Sequence, residues 1–233
     1  MPDPNIDQLI AVARKVRPLL DGLVFVGGCA TGLLISDTSA PSVRTTFDVD
    51  AIAEVSTYPE YVALAERFRD LWFSEYNSEG APLCRWISGG QILDVMPLDA
   101  KVLGFSNRWY GEAARSSTAI SLEESLTIRV VTAPVFLATK LEAFKSRGQG
   151  DYFASHDLED AVSVIDGRAE LLDEIRAAQP ALREYLAKEW QSLLRDSRFF
   201  DALPGHLPPD PSSQARVGLL MQRIEAIARI SGG

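Results

Sequence analysis

The sequence predicts an α/β fold in which an α+β amino-terminal core is followed by a helical carboxy-terminal part. Two observations carry this prediction. Up to about residue 132, short runs rich in branched and aromatic residues alternate with helical stretches, as strands and helices do when they share one domain. Beyond Pro134, nearly every segment repeats its apolar residues with helical period. The predicted domains are therefore a core at 1–132 and a helical domain at 133–233.

Four segments of the core have the composition of strands, because they are rich in branched or aromatic residues and bounded by turn residues. They are 23–27, 47–54, 83–88 and 91–98. The last two are joined by Gly89-Gly90, a dipeptide that accepts positive φ at both positions. This pattern predicts a hairpin with a two-residue turn.

Helical periodicity predicts three helices in the core and five in the carboxy-terminal part. We expect them at about 5–20, 28–36, 58–74, 134–147, 156–166, 168–178, 180–195 and 214–230. A proline-rich segment at 203–213 is expected to form a loop before the last helix.

Composition excludes several classes of protein. With 46% hydrophobic and 24% charged residues, the chain is typical of a globular protein rather than a fibrous or disordered one. Two cysteines and two histidines are too few for a disulfide framework or a typical zinc site. No stretch reaches the roughly 18 apolar residues of a membrane-spanning helix, and the amino terminus lacks the residue order of a secretory signal. We therefore expect a cytoplasmic protein with no membrane partner.

The formal charge of −9 at pH 7 argues against a nucleic-acid-binding surface that is basic overall. The charge is uneven, however, because residues 101–150 carry a net +3 and leave −12 for the rest of the chain. An acidic body with one basic stretch suits an anionic substrate held at a single site. A solvated basic helix is the alternative.

The first chemical feature is the run Phe25-Val26-Gly27-Gly28-Cys29-Ala30-Thr31, in which a strand ends in two glycines and a helix begins. Glycines let a ligand approach the backbone closely, and the free N–H groups of a helix start attract an anion such as phosphate. The spacing fits neither a Rossmann fingerprint nor a Walker A loop. The same run also serves as a simple tight turn in many α/β proteins.

The second feature is the pair Asp48 and Asp50, which is preceded by Arg44. Residues i and i+2 of a strand point to the same side, so the two carboxylates project from one face with Cα atoms about 6.5 Å apart. Such close like charges repel unless a cation lies between them, and Mg²⁺ prefers oxygen ligands of this kind. The alternative is that both side chains face solvent.

The third feature is Asp94, which lies within the apolar run Ile92-Leu93-Asp94-Val95-Met96. A carboxylate is costly there unless it is paired or bound to a metal. If this strand neighbours the one that carries Asp48 and Asp50, three carboxylates converge and could hold two metal ions about 4 Å apart. The alternative is a surface-facing Asp on an edge strand.

Taken together, the glycine pair at a helix start, the Asp-x-Asp strand and the later Asp resemble the polymerase-β-like nucleotidyltransferase superfamily. Within it, the chain is similar to the AbiEii toxin family, including the MenT-type transferases. The segments 140–147 (KLEAFKSR) and 156–160 (HDLED) resemble that family's Lys-rich helix and later Asp motif. The resemblance covers about residues 20–166 and implies a mixed sheet flanked by helices.

The resemblance also implies an activity and a cellular role. The activity is Mg²⁺-dependent transfer of a nucleoside monophosphate from an NTP to an acceptor hydroxyl, with two Mg²⁺ ions bound. The role is that of a toxin in a bacterial toxin–antitoxin or phage-defence pair, with a tRNA acceptor and a cognate antitoxin as partners. The tRNA could lie along the basic stretch, near Arg108 and Arg115.

In the family's terms, Gly27 and Gly28 would hold the triphosphate. Asp48 and Asp50 would bind Mg²⁺, and Asp94 would complete the metal site or accept the proton of the acceptor hydroxyl. Arg44 could meet a phosphate or pair with an Asp.

The same resemblance assigns roles in the helical part. Lys140 would contact the triphosphate, and Asp160, with Asp157 second, would orient Lys140 or the nucleotide. Lys140 and Arg147 lie seven residues apart on one helical face and could present two positive charges to a polyphosphate. Exposure of this helix to water would explain the two basic residues equally well, and helix-end electrostatics would explain the two acidic ones.

One position departs from the family pattern. Cys29 stands where a Ser commonly follows the two glycines, and a thiol is a poorer hydrogen-bond partner for phosphate. Thr31 or backbone N–H groups could serve instead.

Two other functions remain open. The first is a nucleotidyltransferase that acts on a protein or on a small cationic molecule, an acceptor of the aminoglycoside type that an acidic body would favour. The second is a non-catalytic module that binds a nucleotide or a partner protein.

Overall fold

The computed structural model describes residues 3–148 and 150–230. The chain forms two compact units, Met1–Gly32 with Arg44–Thr132, and Leu33–Val43 with Ala133–Gly233. The outer ends of both predicted domains, at residues 1 and 233, lie outside the described residues. Residues 33–43, which the sequence-based division assigned to the core, belong to the second unit.

A seven-stranded mixed sheet forms the centre of the first unit. Its strands are β1 (Leu23–Val26), β2 (Val49–Ala53), β3 (Ser74–Glu75), β4 (Arg85–Ser88), β5 (Gln91–Pro97), β6 (Thr118–Glu123) and β7 (Leu126–Val130). They lie in the order β3-β4-β5-β2-β1-β7-β6. The pairs β1·β7 and β2·β5 are parallel and the other pairs are antiparallel. The predicted α/β class with a mixed sheet flanked by helices is confirmed.

The hairpin predicted at Gly89-Gly90 is also confirmed. Both glycines have positive φ, 56° and 84°, and Ser88 pairs with Gln91 across the turn. This conformation at both central positions is that of a type I′ turn, whose twist matches the flanking strands. The register of β4 against β5 is therefore set by the turn.

The first unit has three predicted helices that are shorter than the periodicity indicates, and two short helices that were not predicted. The three are α1 (Pro4–Lys15), α2 (Gly27–Ala30) and α3 (Tyr58–Asp70), and the two are α4 (Ala100–Leu103) and α5 (Tyr110–Ser116). The helix predicted at 5–20 ends at Lys15 because Pro18 lacks an N–H and its ring would clash with a carbonyl in the preceding turn. The chain continues as the 3₁₀ helix Arg17–Gly22. The helix predicted at 28–36 is only α2 followed by the 3₁₀ helix Thr31–Leu34.

Three strands escaped the sequence analysis. None of the residues of β6 is buried, so the core does not give this strand an apolar face, and β3 is only two residues long. In contrast, β7 has alternating burial and pairs in parallel with β1. The sheet therefore extends beyond β1 by two strands, β7 and β6, that were not predicted.

The second unit is helical, as expected. Its helices are α6 (Ala133–Arg147), α7 (His156–Gly167), α8 (Leu171–Ala177), α9 (Pro180–Leu193), α10 (Ser197–Ala202), α11 (Pro211–Gln214) and α12 (Val217–Ala228). The segment predicted as a loop at 203–213 contains the 3₁₀ helix Leu203–His206 and the start of α11. Asp210 caps α11 by accepting hydrogen bonds from the N–H groups of Ser212 and Ser213, which is why a helix begins there.

The segment 33–43 is bound to the end of α7. The N–H groups of Ser36 and Asp37 donate to the Gly167 carbonyl, each at 2.9 Å. Arg216 donates both to the Asp37 carboxylate, at 2.8 Å, and to the buried Asp166 carboxylate, at 2.7 Å. These bonds explain why the segment belongs to the helical unit.

Candidate active site

In the first unit, three carboxylates converge where strand β2 begins, beside its neighbour β5. Asp50 in β2 and Asp94 in β5 are directly opposite each other in the parallel register of the two strands. Asp48 immediately precedes β2, two residues before Asp50. Asp50 is also opposite Val26, the last residue of β1. The strand that carries Asp94 is thus the neighbour of the strand that follows Asp48 and carries Asp50. The predicted convergence of three carboxylates depended on this pairing.

A fourth charged residue, Arg85 in β4, was not predicted. Its Nε and Nη2 atoms donate to the two oxygens of Asp94, both at 2.8 Å. The same Nη2 donates to Asp48 Oδ2 at 2.7 Å. Hydrogen bonds with Asp94 raise the pKa of Arg85 above its ordinary value, against the opposing effect of burial. A guanidinium therefore bridges two of the three carboxylates.

The hairpin turn contained the signal that would have revealed Arg85. A two-residue turn at Gly89-Gly90 pairs Ser88 with Gln91, and three steps further along it pairs Arg85 with Asp94. Opposite charges that face each other across antiparallel strands stabilise the pair. The predicted turn and the predicted Asp94 together were sufficient to place an arginine at the site.

The segment before Asp48 is held by helix α1. Asn5 is fully buried; its Nδ2 donates to the Arg44 carbonyl at 2.8 Å and its Oδ1 accepts from the Thr46 N–H at 3.0 Å. One turn later, Gln8 Nε2 donates to the Phe47 carbonyl at 2.7 Å. Thr46 Oγ1 in turn donates to Asp48 Oδ1 at 2.9 Å. Asn5, Gln8 and Thr46 thus fix the backbone and one oxygen of the Asp-x-Asp motif.

The glycine turn packs against the carboxylates. Gly27 has a φ of 73°, and a Cβ built on it would lie 1.9 Å from Asp50 Oδ2. A Cβ on Gly28 would lie 2.8 Å from Arg44 Nη2. The turn therefore needs glycine for contact as well as for conformation, and the Arg44 guanidinium lies against it.

The side chains of Cys29 and Thr31 bond to the protein's own backbone, so they do not serve as hydrogen-bond donors to a phosphate. Both residues are fully buried; the Cys29 thiol donates to the Asp48 carbonyl at 3.1 Å, and Thr31 Oγ1 donates to the Gly27 carbonyl at 3.4 Å. Burial, followed by the nearby charges of Asp50 and Asp48, raises the pKa of Cys29 well above its ordinary value. Cys29 is thus a neutral structural thiol, and any contact it makes with a nucleotide would come from its backbone.

The chemistry of the site can be compared with what Mg²⁺ requires. Carboxylate oxygens are its preferred protein ligands, and the site supplies three carboxylates. Within residues 3–148 and 150–230, however, no group of three or more His, Cys, Asp or Glu side chains is arranged to hold a metal ion. The carboxylates are ligands of the kind that Mg²⁺ prefers, but in this structure two of the three, Asp48 and Asp94, are paired with Arg85.

The other four predicted site residues form a cluster within the second unit. Lys140 of α6 is buried, and its Nζ lies 2.6 Å from Asp160 Oδ2 and 3.3 Å from Asp157 Oδ1. Arg147 donates to both oxygens of Asp157, at 2.9 Å each. Burial by itself would raise the pKa of Asp157, but the hydrogen bonds from Arg147 and the charge of Lys140 outweigh it and lower that pKa. The cluster is a network of two cations and two carboxylates in which Lys140, Asp157 and Asp160 are buried and Arg147 is exposed.

The two arginines named for the basic stretch lie in or beside α5 of the first unit. The Arg108 guanidinium lies over the Trp109 ring, 5.0 Å from its centroid. Arg115 is exposed and pairs with Glu112 one turn earlier. Among the described residues, no helix has the length and apolar character needed to cross a membrane.

Comparison with known proteins gives only weak likenesses. No protein family profile matches the chain, and no curated protein matches it significantly. Among solved structures, the chain is similar to an antigenic nucleotidyltransferase-like protein from Paracoccidioides brasiliensis, with 20% identity and a TM-score of 0.47. The alignment covers 86% of this chain and 94% of that one. A TM-score this low does not establish a common fold, so no function follows from it.

Proposed function

We propose that the protein is a nucleotidyltransferase, which moves a nucleoside monophosphate from an NTP to an acceptor hydroxyl and releases pyrophosphate. The observation that carries this proposal is the register of β2 and β5, which sets Asp50 beside Asp94 with Asp48 two residues away. The turn at Gly27 touches the same Asp50 carboxylate. The glycine turn and the carboxylate oxygens, which are ligands of the kind Mg²⁺ prefers, therefore lie side by side.

Mg²⁺ is part of the proposal, held by Asp48 and Asp50 with Asp94 beside them, and the resemblance implies two ions. When bound, Mg²⁺ supplies charge neutralisation at the attacking and leaving oxygens of the transfer. The protein's own groups position the reactants. The glycines let the carboxylate of Asp50 and the guanidinium of Arg44 lie against the backbone turn, and Arg44, beside Gly28, offers a planar set of N–H donors suited to phosphate.

The finer assignments follow from the family resemblance. We propose a toxin of a toxin–antitoxin or phage-defence pair, with a tRNA 3′ end as acceptor and a cognate antitoxin protein as partner. Arg108 and the exposed Arg115 supply positive charge within the first unit, where a phosphate backbone could be held.

Two observations favour other functions. The net charge of −9 would attract a small cationic acceptor better than an RNA. The ion pairs of Arg85 with Asp48 and Asp94 suit a module that binds a nucleotide without catalysis, because the carboxylates are neutralised by the protein itself.

One experiment separates these functions. The purified protein is incubated with each α-labelled NTP, Mg²⁺ and a cell extract, and label is sought in the tRNA, protein and small-molecule fractions. We expect label in tRNA, and we expect Asp48→Asn to lower the incorporation rate at least about 100-fold, because it removes a negative ligand from the metal site.

The matched control is Asp173→Asn, which removes an exposed carboxylate of the second unit and should label at the wild-type rate. Label in the small-molecule fraction would move the acceptor to that class. Asp48-independent labelling, or NTP binding with no transfer to any fraction, would contradict the catalytic proposal.

A further inference from the structure

The two carboxylates that Arg85 bridges hold it unequally. Asp94 accepts two parallel hydrogen bonds, from Nε and Nη2, and its side chain is only 9% exposed. Asp48 accepts one, from Nη2, and its side chain is 32% exposed. Buried bidentate pairs are costly to break, whereas partly solvated single contacts are worth little. If Arg85 releases one partner, that partner is Asp48.

The contact with Asp48 engages one of the two oxygens that a metal ion could bind. Oδ1 of Asp48 accepts from Thr46 Oγ1 at 2.9 Å, and Oδ2 accepts from Arg85 at 2.7 Å. A cation that binds Oδ2 therefore shares or displaces the Arg85 contact, and one that binds Oδ1 lies beside the guanidinium. The guanidinium would also remain close to that cation, because Asp94 retains it.

The charges of the site also favour a cation that binds together with a nucleotide. Asp48, Asp50 and Asp94 bring three negative charges, and Arg44 and Arg85 bring two positive ones. A divalent cation that arrived alone and bound Asp48 would lie close to the Arg85 guanidinium, and the two positive charges would repel each other. A cation that arrives with a triphosphate brings its own excess of negative charge.

We infer that Arg85 is the resident counter-cation of the site, anchored on Asp94, and that it competes with the divalent cation for Asp48. The inference rests on the proposed function, in that Mg²⁺ is taken as the cation that Asp48 serves. Arg85 neutralises the carboxylates of the free protein, weakens the binding of free metal and so favours loading of the metal together with its nucleotide. Arg85 is a positioning residue in this scheme.

The test measures metal binding without nucleotide and without any assay of activity. Mn²⁺ serves as the probe, titrated by calorimetry and by the loss of free-ion EPR signal, on the wild type and on Arg85→Gln. Glutamine removes the charge but keeps a polar side chain beside Asp94. We expect weak binding to the wild type and binding at least about tenfold tighter to the variant, because a unit positive charge at this range has been removed.

The matched control is Arg129→Gln. Arg129 is also a partly buried arginine of the first unit, and it pairs with Glu54 beyond the far end of β2 from Asp50. This control should bind Mn²⁺ as the wild type does. A folded Arg85→Gln protein that binds Mn²⁺ no more tightly than the wild type overturns the inference.

Asp48→Asn, alone and combined with Arg85→Gln, separates this inference from the proposed function. If Mn²⁺ binding depends on Asp48 but is equal with and without Arg85, only the competition fails. If neither the wild type nor Arg85→Gln shows Asp48-dependent binding, the competition and the metal assignment fail together.

Arg85→Lys covers the case in which Arg85→Gln does not fold. A lysine keeps the charge but cannot make two parallel bonds to Asp94 while it also holds Asp48. Its Mn²⁺ affinity should lie above that of the wild type, and an equal or lower affinity counts against the inference.

Discussion

Gly27 is constrained both by its backbone conformation and by its neighbour. Its φ of 73° lies in the left-handed region, and a Cβ would approach Asp50 Oδ2 to 1.9 Å. We expect Gly27→Ala to lower the free energy of unfolding by about 3 kcal/mol, because the strain of a left-handed alanine is added to a clash. Urea unfolding measures this change. The variant should also lose nucleotide binding, because Asp50 must move.

Gly104 provides the matched control. It ends helix α4 with a φ of 84°, and a Cβ there would meet no atom within 4 Å. Gly104→Ala should therefore cost only about 1 kcal/mol, which is the strain of the conformation by itself, and should leave nucleotide binding intact. Equal losses for the two variants would mean that contact with Asp50 has no part in the requirement for glycine at position 27.

Among the elements, helix α3 is followed by a non-glycine residue in a left-handed conformation. Trp72 follows the helix with a φ of 64°, in the position and conformation that glycine normally takes after a helix. The Phe73 N–H closes the helix end by donating to the Phe68 carbonyl at 3.0 Å. The Trp72 side chain is 88% exposed, so burial does not compensate for the backbone strain.

We expect Trp72→Gly to raise the free energy of unfolding by about 1 kcal/mol, because glycine relieves the left-handed strain and little buried surface is lost. The urea midpoint should increase with an unchanged slope. Trp72→Ala keeps a Cβ in the same conformation and should leave the midpoint close to that of the wild type. A destabilised glycine variant would show that the exposed ring stabilises the fold.

The elements show what the sequence could and could not predict. Strands rich in buried residues, such as the fully buried β1 and the alternating β4, were predicted, because their apolar pattern is set by the core. Strand β6 has no buried residue, and β7, a strand of five residues, has alternating burial; neither was predicted. The helix predicted at 5–20 is longer than α1, because apolar periodicity does not take account of the missing N–H of Pro18.

The candidate site shows the same limit. Asp48, Asp50 and Asp94 stand out because carboxylates in apolar strands are rare, and the structure brings all three to one edge. Other elements complete the site: Arg85 of the neighbouring strand donates to Asp48 and Asp94, and Asn5, 41 positions before Thr46, holds the backbone that leads to Asp48. Only the Arg85 partnership follows from a local rule, the register of a two-residue turn. The Asn5 contact depends on how α1 packs, which no local pattern contains.

For the molecule as a whole, acid sensitivity depends on how each buried titratable group is paired. His206 is buried in the second unit, and its Nε2 lies 2.7 Å from the Tyr152 carbonyl. Because a carbonyl oxygen only accepts, Nε2 carries the proton of the neutral ring. Burial lowers the pKa of His206 below its ordinary 6.5, and the hydrogen bond to Tyr152 and the charge of Glu159 only partly oppose this effect.

The direction of the resulting pH dependence follows from proton linkage. The unfolded chain takes up a proton on His206 below about pH 6.5, whereas the folded protein resists it until a lower pH. Stability from the neutral ring is therefore complete above that value and decreases as the pH falls below it. Carboxylates whose pKa values are lowered in the fold, such as Asp157, lose their contribution only below about pH 4. The histidine thus acts in a separate and higher pH window.

We expect the free energy of unfolding of the wild type to decrease between pH 7 and pH 5, and His206→Gln to remove most of that decrease. Glutamine has no charge to gain over this range, and its amide N–H can donate to the Tyr152 carbonyl in place of Nε2–H. Urea unfolding at half-unit pH steps measures the two slopes. Parallel slopes for wild type and variant would assign the acid sensitivity to groups other than His206, whereas a flat variant against a sloping wild type ties it to this one buried ring.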